Sequence, residues 1–113
     1  MATDKMNWDK ALERYDSLVE ECERFDRKGK SMIYTSANGY MFSLLNKDAE
    51  MGIRFSKEVQ EKYIKEFNSD YYKSHGATMK GYIIITESML KDRESVIDLL
   101  NESYDYVMSL DPK

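Results

Sequence analysis

Histidine and cysteine, which often serve as the general base and the nucleophile near neutral pH, are scarce in this sequence. The chain has one histidine, His75, and one cysteine, Cys22. A serine or cysteine hydrolase needs a base, normally a histidine, to take the proton of its nucleophile. His75 lies in a predicted turn, and Cys22 lies on the apolar stripe of a predicted helix. We therefore interpret His75 as an exposed or turn-capping imidazole and Cys22 as a small buried side chain.

The patterns typical of metal and nucleotide sites are also missing from the sequence. A single cysteine and a single histidine do not make a zinc site. The spacing of Asp48 and Glu50 does not match a calcium-binding loop, and no glycine-rich phosphate-binding motif is present. The sequence therefore predicts a protein without enzymatic activity, a bound metal or a cofactor.

A turn and two basic side chains complete the candidates for an interaction or ligand surface. Asn38 and Gly39 can both adopt positive φ, which by itself explains a turn leading into a strand. Alternatively, the exposed backbone of this turn could hold an anion or a partner strand. A further hypothesis is a small-ligand or enzyme pocket formed by Asn38, Arg54, His75 and Lys80.

Hydrophobic periodicity predicts the elements that position these residues. In the first half of the chain, we predict a helix over 8–25, an extended piece at 32–34, and strands at 40–45 and 51–55. A helix capped by Ser56 follows, and then strands from Tyr71 and over 79–86. The chain is predicted to end with a helical turn from Thr86 or Ser88 and a helix capped by Asp92. The inner face of the last helix is predicted to consist of Val96, Ile97, Leu100, Tyr104, Val107 and Met108.

This order predicts one α+β domain over residues 1–113, with residues 1–6 expected to be flexible. The expected architecture has two layers, in which an antiparallel sheet of four or five strands packs against helices in the order α-β(2-3)-α-β(2)-α. Simple alternation in the strand at 40–45 places Tyr40, Phe42 and Leu44 on one face and Met41, Ser43 and Leu45 on the other.

The charge of the chain argues against a nucleic-acid-binding surface. The formal net charge is -4, whereas nucleic-acid binders usually present a basic face. The local basic cluster of Arg24, Arg27, Lys28 and Lys30 is interpreted as a helix C-terminus, where cations are favourable, with a phosphate site as the alternative. Because no signal peptide and no membrane-spanning apolar run is found, we expect a cytoplasmic protein that does not contact a membrane.

Three separated blocks of the sequence resemble one protein family. They read GKSMIYTSANGYMFSLLNKDAEMGIRFSKE, SHGATMKGYIIITESML and SYDYVMSLDPK. With these blocks the chain resembles the N-terminal domain family of TfoX/Sxy, named after bacterial competence regulators, as a stand-alone single-domain member. The final block is also similar to the YjbR family. The chain has His75 where the first family usually has an aromatic residue before the glycine.

The resemblance implies a two-layer α+β domain with an antiparallel sheet, and it implies no catalytic residue set. The expected function is therefore a small protein-interaction or regulatory accessory domain whose protein partner is unknown. A homodimer is one possibility, formed through a sheet edge near Met41 or Tyr71. Association with nucleic acid or with a transcription regulator is the alternative that the family analogy suggests.

Overall fold

The computed structural model describes residues 2–30, 32–74 and 77–113, and side chains are described from Trp8 onwards except for that of Ser74. Its elements, in chain order, are α1 (Ala2–Glu20), β1 (Ile33–Ala37), β2 (Tyr40–Leu45), β3 (Met51–Arg54), α2 (Lys57–Glu66), β4 (Tyr71–Ser74), β5 (Ala77–Ile84), α3 (Glu87–Leu90) and α4 (Arg93–Met108). The predicted α+β class and the predicted order of helices and strands are confirmed.

The five strands form one sheet in the order β1-β2-β3-β5-β4, and every neighbouring pair is antiparallel. The predicted antiparallel sheet is therefore confirmed, and of the two predicted strand numbers, four and five, it has five. The turn predicted at His75 and Gly76, between β4 and β5, lies outside the described residues.

The two faces of the sheet carry different apolar clusters. The main core joins residues of all four helices to one face, with Tyr15, Phe42 and Val96 at most 1% exposed. On the other face, a second cluster is built from strand residues, and we call it the strand cluster; its members are Tyr34, Met41, Leu44, Tyr72, Met79, Tyr82 and Ile84. The described helices thus pack on one side of the sheet, which gives the expected two layers.

Three helices begin at side-chain caps that the sequence predicts. Ser56 Oγ accepts a hydrogen bond from the backbone N–H of Val59 at 3.3 Å, which caps α2. Thr86 caps α3 and Asp92 caps α4 in the same way. Each cap satisfies a backbone donor that has no partner inside the helix, so these boundaries are fixed locally.

Helix α1 ends five residues earlier than predicted and begins earlier as well. It spans Ala2–Glu20, and the chain then turns, so the basic cluster does not form a helix C-terminus as we expected. Arg24 instead pairs with Asp105 of α4, and Arg27 pairs with Asp16 of α1. The buried side chains of Cys22 and Phe25 anchor this segment in the main core, and the predicted macrodipole interaction is wrong.

Strand β2 contains a bulge that breaks the predicted alternation. Thr35 pairs with Ser43 while Ser36 pairs with Met41, so Phe42 is the extra residue. Phe42 packs in the main core, and the adjacent Ser43 accepts or donates a hydrogen bond with Tyr15 of α1. Because a bulge moves the following side chains to the opposite face, Leu44 lies in the strand cluster rather than beside Phe42.

The inner face of α4 is mostly as predicted, with one error. Val96, Leu100 and Val107 are buried, whereas Met108 is 48% exposed. Ser103, which was not predicted on this face, is fully buried there, and its hydroxyl donates to the carbonyl oxygen of Phe42 at 3.3 Å. Within the described parts of the chain, no helix is both long and apolar enough to cross a bilayer.

Candidate functional site

A groove of about 550 Å³ opens where β3 leaves the sheet and leads into α2. Its walls come from the end of β3, the first turns of α2, strands β4 and β5, and the last turns of α4. The charged and aromatic residues that line it are Arg54, Phe55, Lys57, Glu61, Tyr71, Lys80 and Tyr106. The groove therefore gathers three cations and one carboxylate in a protein whose net charge is -4.

Arg54 differs from the other arginines in its surroundings. Four of the five arginines form ion pairs, namely Arg14 with Glu87, Arg24 with Asp105, Arg27 with Asp16 and Arg93 with Glu21. The guanidinium of Arg54 makes no ion pair or hydrogen bond with any residue that the structure describes. Its central carbon lies 5.4 Å from the ring centre of Tyr40 and 5.8 Å from that of Tyr106.

Two aromatic rings and a glycine therefore hold the Arg54 side chain. Cation–π contacts of this kind orient a guanidinium without neutralising its charge. Gly81 has φ +90°, and a Cβ atom there would lie 3.0 Å from the carbonyl oxygen of Phe55 and 3.3 Å from Cγ of Arg54. The absence of a side chain at Gly81 thus lets the arginine lie close to β5.

Gln60 attaches α2 to the sheet beneath the groove. Its side chain is 5% exposed, and Nε2 donates to the carbonyl oxygen of Tyr82 at 2.9 Å. The backbone N–H of Phe55 also donates to the carbonyl oxygen of Gly81 at 2.9 Å. These two hydrogen bonds, one from a side chain and one from the main chain, fix the start of α2 against β5.

The structure brings together only part of the sequence-predicted site. Arg54 and Lys80 line the same groove. Asn38 and Gly39 instead form the β1–β2 turn, with φ of 56° and 84°. His75 lies outside the described residues. The pocket hypothesis is therefore supported for the two cations alone.

The Asn38 side chain forms two hydrogen bonds within the chain. Its Nδ2 donates to the carbonyl oxygens of Val107 at 2.9 Å and Leu110 at 2.8 Å. These carbonyls belong to the end of α4 and to the segment after it. The predicted positive-φ turn at Asn38 and Gly39 is confirmed. The hydrogen bonds of Asn38 also connect the β1–β2 hairpin to the C-terminal end of α4.

Most lining residues, including Lys57, Gln60, Glu61 and Tyr106, were not recognised as site residues from the sequence. Lys57 and Gln60 follow the Ser56 cap, so their place beside Arg54 was accessible from the predicted β3–α2 boundary. Tyr106 is separated from Arg54 by more than fifty residues, and its alternation with Tyr104 in SYDYV was the only sign of it. Contact between α4 and the end of β3 is a tertiary feature that the sequence pattern does not reveal.

Cys22 is buried, as predicted, although it follows α1 rather than lying within it. It is 3% exposed, and its thiol donates to the carbonyl oxygen of Leu18 at 3.5 Å. Burial, together with the nearby Glu21 carboxylate, raises the pKa of the Cys22 thiol to about 11. The reactive thiolate is therefore disfavoured at neutral pH. Among the described residues, no cluster of histidine, cysteine, aspartate and glutamate has the arrangement of a metal site.

A buried hydroxyl cluster joins α1 to the sheet. Tyr15 Oη lies 2.7 Å from Ser43 Oγ, which also hydrogen-bonds with Thr35 Oγ1. All three residues are at most 1% exposed. With hydroxyls alone and no base in contact, the cluster satisfies buried polar atoms and explains why Ser43 is tolerated in the core.

The stability of the fold is expected to decrease above about pH 10, where tyrosine ionises in an unfolded chain. Burial raises the pKa of Tyr63 and of Tyr82 to about 12, and it also raises the pKa of Tyr15 and of Tyr72. Because the folded state keeps these phenols neutral, the stabilisation is complete below pH 10 and is lost as pH rises through about 12. Urea unfolding across this pH range measures the effect. The free energy of unfolding should fall less steeply with pH in Tyr63→Phe than in the native chain. A free energy of unfolding that does not change with pH would contradict the prediction.

The two edges of the sheet are β1 and β4. Part of the β1 edge is occupied, because Lys28 and Tyr34 exchange backbone hydrogen bonds of 2.7 and 3.1 Å. Tyr71 lies on the β4 edge and is 40% exposed. Met41 lies in β2, an interior strand, so the prediction of a sheet edge at Met41 is wrong.

Comparison with known proteins adds no relative to this description. No protein-family model matches the chain, and neither the search of curated proteins nor the search of solved structures found a match. The class of protein that the fold and the groove define is thus an α+β domain with a partly basic surface groove.

Proposed function

We propose that this protein is a small, non-enzymatic interaction domain, related to the TfoX N-terminal domains, that binds a segment of a protein partner in the Arg54 groove. The observation that carries the proposal is the Arg54 guanidinium, which is held between two tyrosine rings without a carboxylate partner among the described residues. Tyrosine and arginine are enriched at protein interfaces, and both types meet in this groove.

Among the residues that the structure describes, no nucleophile is paired with a base, which supports a binding role over catalysis. Cys22 is buried and held as a thiol, and the cluster of Tyr15, Ser43 and Thr35 contains no base. Arg54, Lys57 and Lys80 can bind an anionic group, but they provide no general base at neutral pH. The surface is therefore better suited to recognition than to chemistry.

The charge of the groove specifies the kind of partner segment. Three cations face one carboxylate there, while the chain as a whole is negative. An acidic segment is attracted to such a local excess of positive charge. The exposed ring of Tyr71 adds an apolar contact at the rim, so we expect acidic residues next to apolar ones in the partner.

The proposal is tested by site-specific photo-cross-linking in cells that express the protein. In one variant, a benzophenone amino acid replaces Tyr71 at the groove. In the control variant it replaces Met108, which is similarly exposed, at 48%, but does not line the groove. A partner cross-linked only from the groove is then purified, and its affinity is measured by titration calorimetry. Tyr71→Ala should weaken binding about tenfold, as at an interface hot spot, whereas Met108→Ala should leave it unchanged. Equal cross-linking from both positions, or no effect of Tyr71→Ala, would refute the proposal.

Association with nucleic acid remains the alternative from the family resemblance. Arg24 and Arg27, which the sequence offered for that role, are both engaged in ion pairs with carboxylates. Phosphate contacts would have to replace these pairs, so any binding is expected to be weak and strongly dependent on salt. Titration of labelled DNA at low salt distinguishes this alternative, since saturable, salt-sensitive binding would favour it.

A further inference from the structure

We propose that the group recognised in the groove is a carboxylate, bound to the Arg54 guanidinium through two parallel hydrogen bonds. This inference rests on the proposed function and specifies its chemistry. A guanidinium presents a planar pair of N–H donors that matches the two oxygens of a carboxylate. At Arg54 these donors have no acceptor among the described residues, whereas each of the other four arginines has a carboxylate partner within the chain.

The surroundings prepare the Arg54 side chain for this role. Tyr40 and Tyr106 lie beside the guanidinium, and Gly81 leaves space for the side chain against β5. A side chain that is already restricted loses less conformational entropy when it binds a ligand. Arg54 is half-buried, so its charge is less screened by water than that of an exposed arginine.

The guanidinium geometry and the polypeptide nature of the proposed partner favour a carboxylate. Lys57 and Lys80 are exposed and contribute long-range attraction for any anion. Glu61 lies on the same groove and reduces this attraction for every anion. A carboxylate presents two oxygens in the plane of the guanidinium fork, and it is the anionic group of an unmodified polypeptide. We therefore assign the site to carboxylates, with phosphate as the competing ligand in the test.

Two sources of this group are compatible with the groove, namely an acidic side chain and the free carboxyl end of a polypeptide. The experiment uses fluorescent pentapeptides that separate them: one with two glutamates and blocked ends, one with glutamines in their place and blocked ends, and one with glutamines and a free carboxyl end. Fluorescence anisotropy at two salt concentrations measures their affinity for the full chain. Binding of the first or the third peptide supports the proposal and identifies the source.

Arg54→Gln should lower the affinity for the binding peptide about tenfold, the loss typical of a charge-assisted pair. Arg54→Lys should recover only part of it, because lysine cannot form the two-point contact. Arg14→Gln, which removes a paired arginine, is the matched control and should change affinity less than about twofold. Thermal unfolding of each variant verifies its fold.

Glu61→Gln provides an independent test that does not alter Arg54. Loss of the repelling carboxylate should strengthen peptide binding about two- to threefold, with a smaller effect at high salt. The inference is refuted if Arg54→Gln and Arg14→Gln bind alike, if no peptide binds saturably at millimolar concentration, or if inorganic phosphate displaces the peptide more effectively than acetate. If the cross-linked partner still depends on Tyr71 in that case, the proposed function stands and only its carboxylate chemistry fails.

Discussion

Replacement of Phe42 by alanine is expected to lower the free energy of unfolding by about 3–5 kcal/mol. Phe42 is fully buried, and its ring centre lies 4.9 Å from that of Phe25 and 6.0 Å from that of Tyr104. The two neighbouring rings are themselves stacked at 5.4 Å. Loss of the central ring removes buried apolar surface and leaves a cavity that these rigid neighbours can fill only in part. Chemical denaturation monitored by circular dichroism measures the change.

The size of this loss matters because a domain has about 5–15 kcal/mol of stability in total. Phe42→Leu should cost less, since most of the side-chain volume is retained. Met108→Ala is the matched control, because Met108 is 48% exposed and should change stability by less than about 0.5 kcal/mol. A Phe42→Ala protein as stable as Met108→Ala would show that the aromatic cluster does not hold α4 on the sheet.

Replacement of Gly52 by alanine is expected to destabilise the protein by about 2 kcal/mol, although alanine is normally preferred to glycine in a strand. A Cβ atom at this position would lie 2.7–2.9 Å from three ring atoms of Tyr72. The ring cannot move away easily, because Tyr72 is fully buried and its hydroxyl donates to the carbonyl oxygen of Glu50 at 2.8 Å. The added methyl group therefore forces a shift in β3 or in the ring.

A double-mutant cycle isolates this steric cause. Tyr72→Leu alone should be destabilising because it removes a buried ring. In the Tyr72→Leu background, however, Gly52→Ala should cost at least about 1 kcal/mol less than in the native chain, since the clash with the ring is gone. Additive losses in the cycle would contradict the clash. Urea denaturation of the four proteins gives the coupling energy.

Local signals in the sequence predicted the elements whose boundaries depend on neighbouring residues. Ser56, Thr86 and Asp92 start helices because their side chains reach the first free backbone N–H groups. Asn38 and Gly39 make the hairpin turn because both tolerate positive φ. The α+β class followed from the order of these elements, and strand β2 was predicted at its observed bounds.

The candidate site was only partly predictable, because it is assembled from residues that are distant in the sequence. The sequence named Arg54 and Lys80 as candidate pocket residues, but nothing local showed that they share a groove. Their proximity depends on the pairing of β3 with β5, and Tyr106 joins them only because α4 packs across the sheet. Contacts between residues distant in sequence decide such a site.

By itself, then, the sequence determined the class of domain, its caps and turns, and the scarcity of reactive side chains. Tertiary structure decided where α1 ends, which face Leu44 occupies, and which arginine has no carboxylate partner in the described part of the chain. The physical reason is the range of the interactions involved. Caps and turns are satisfied within a few residues, whereas the Phe42 bulge, the Arg24–Asp105 pair and the Arg54 groove require surfaces that meet only after the chain has folded.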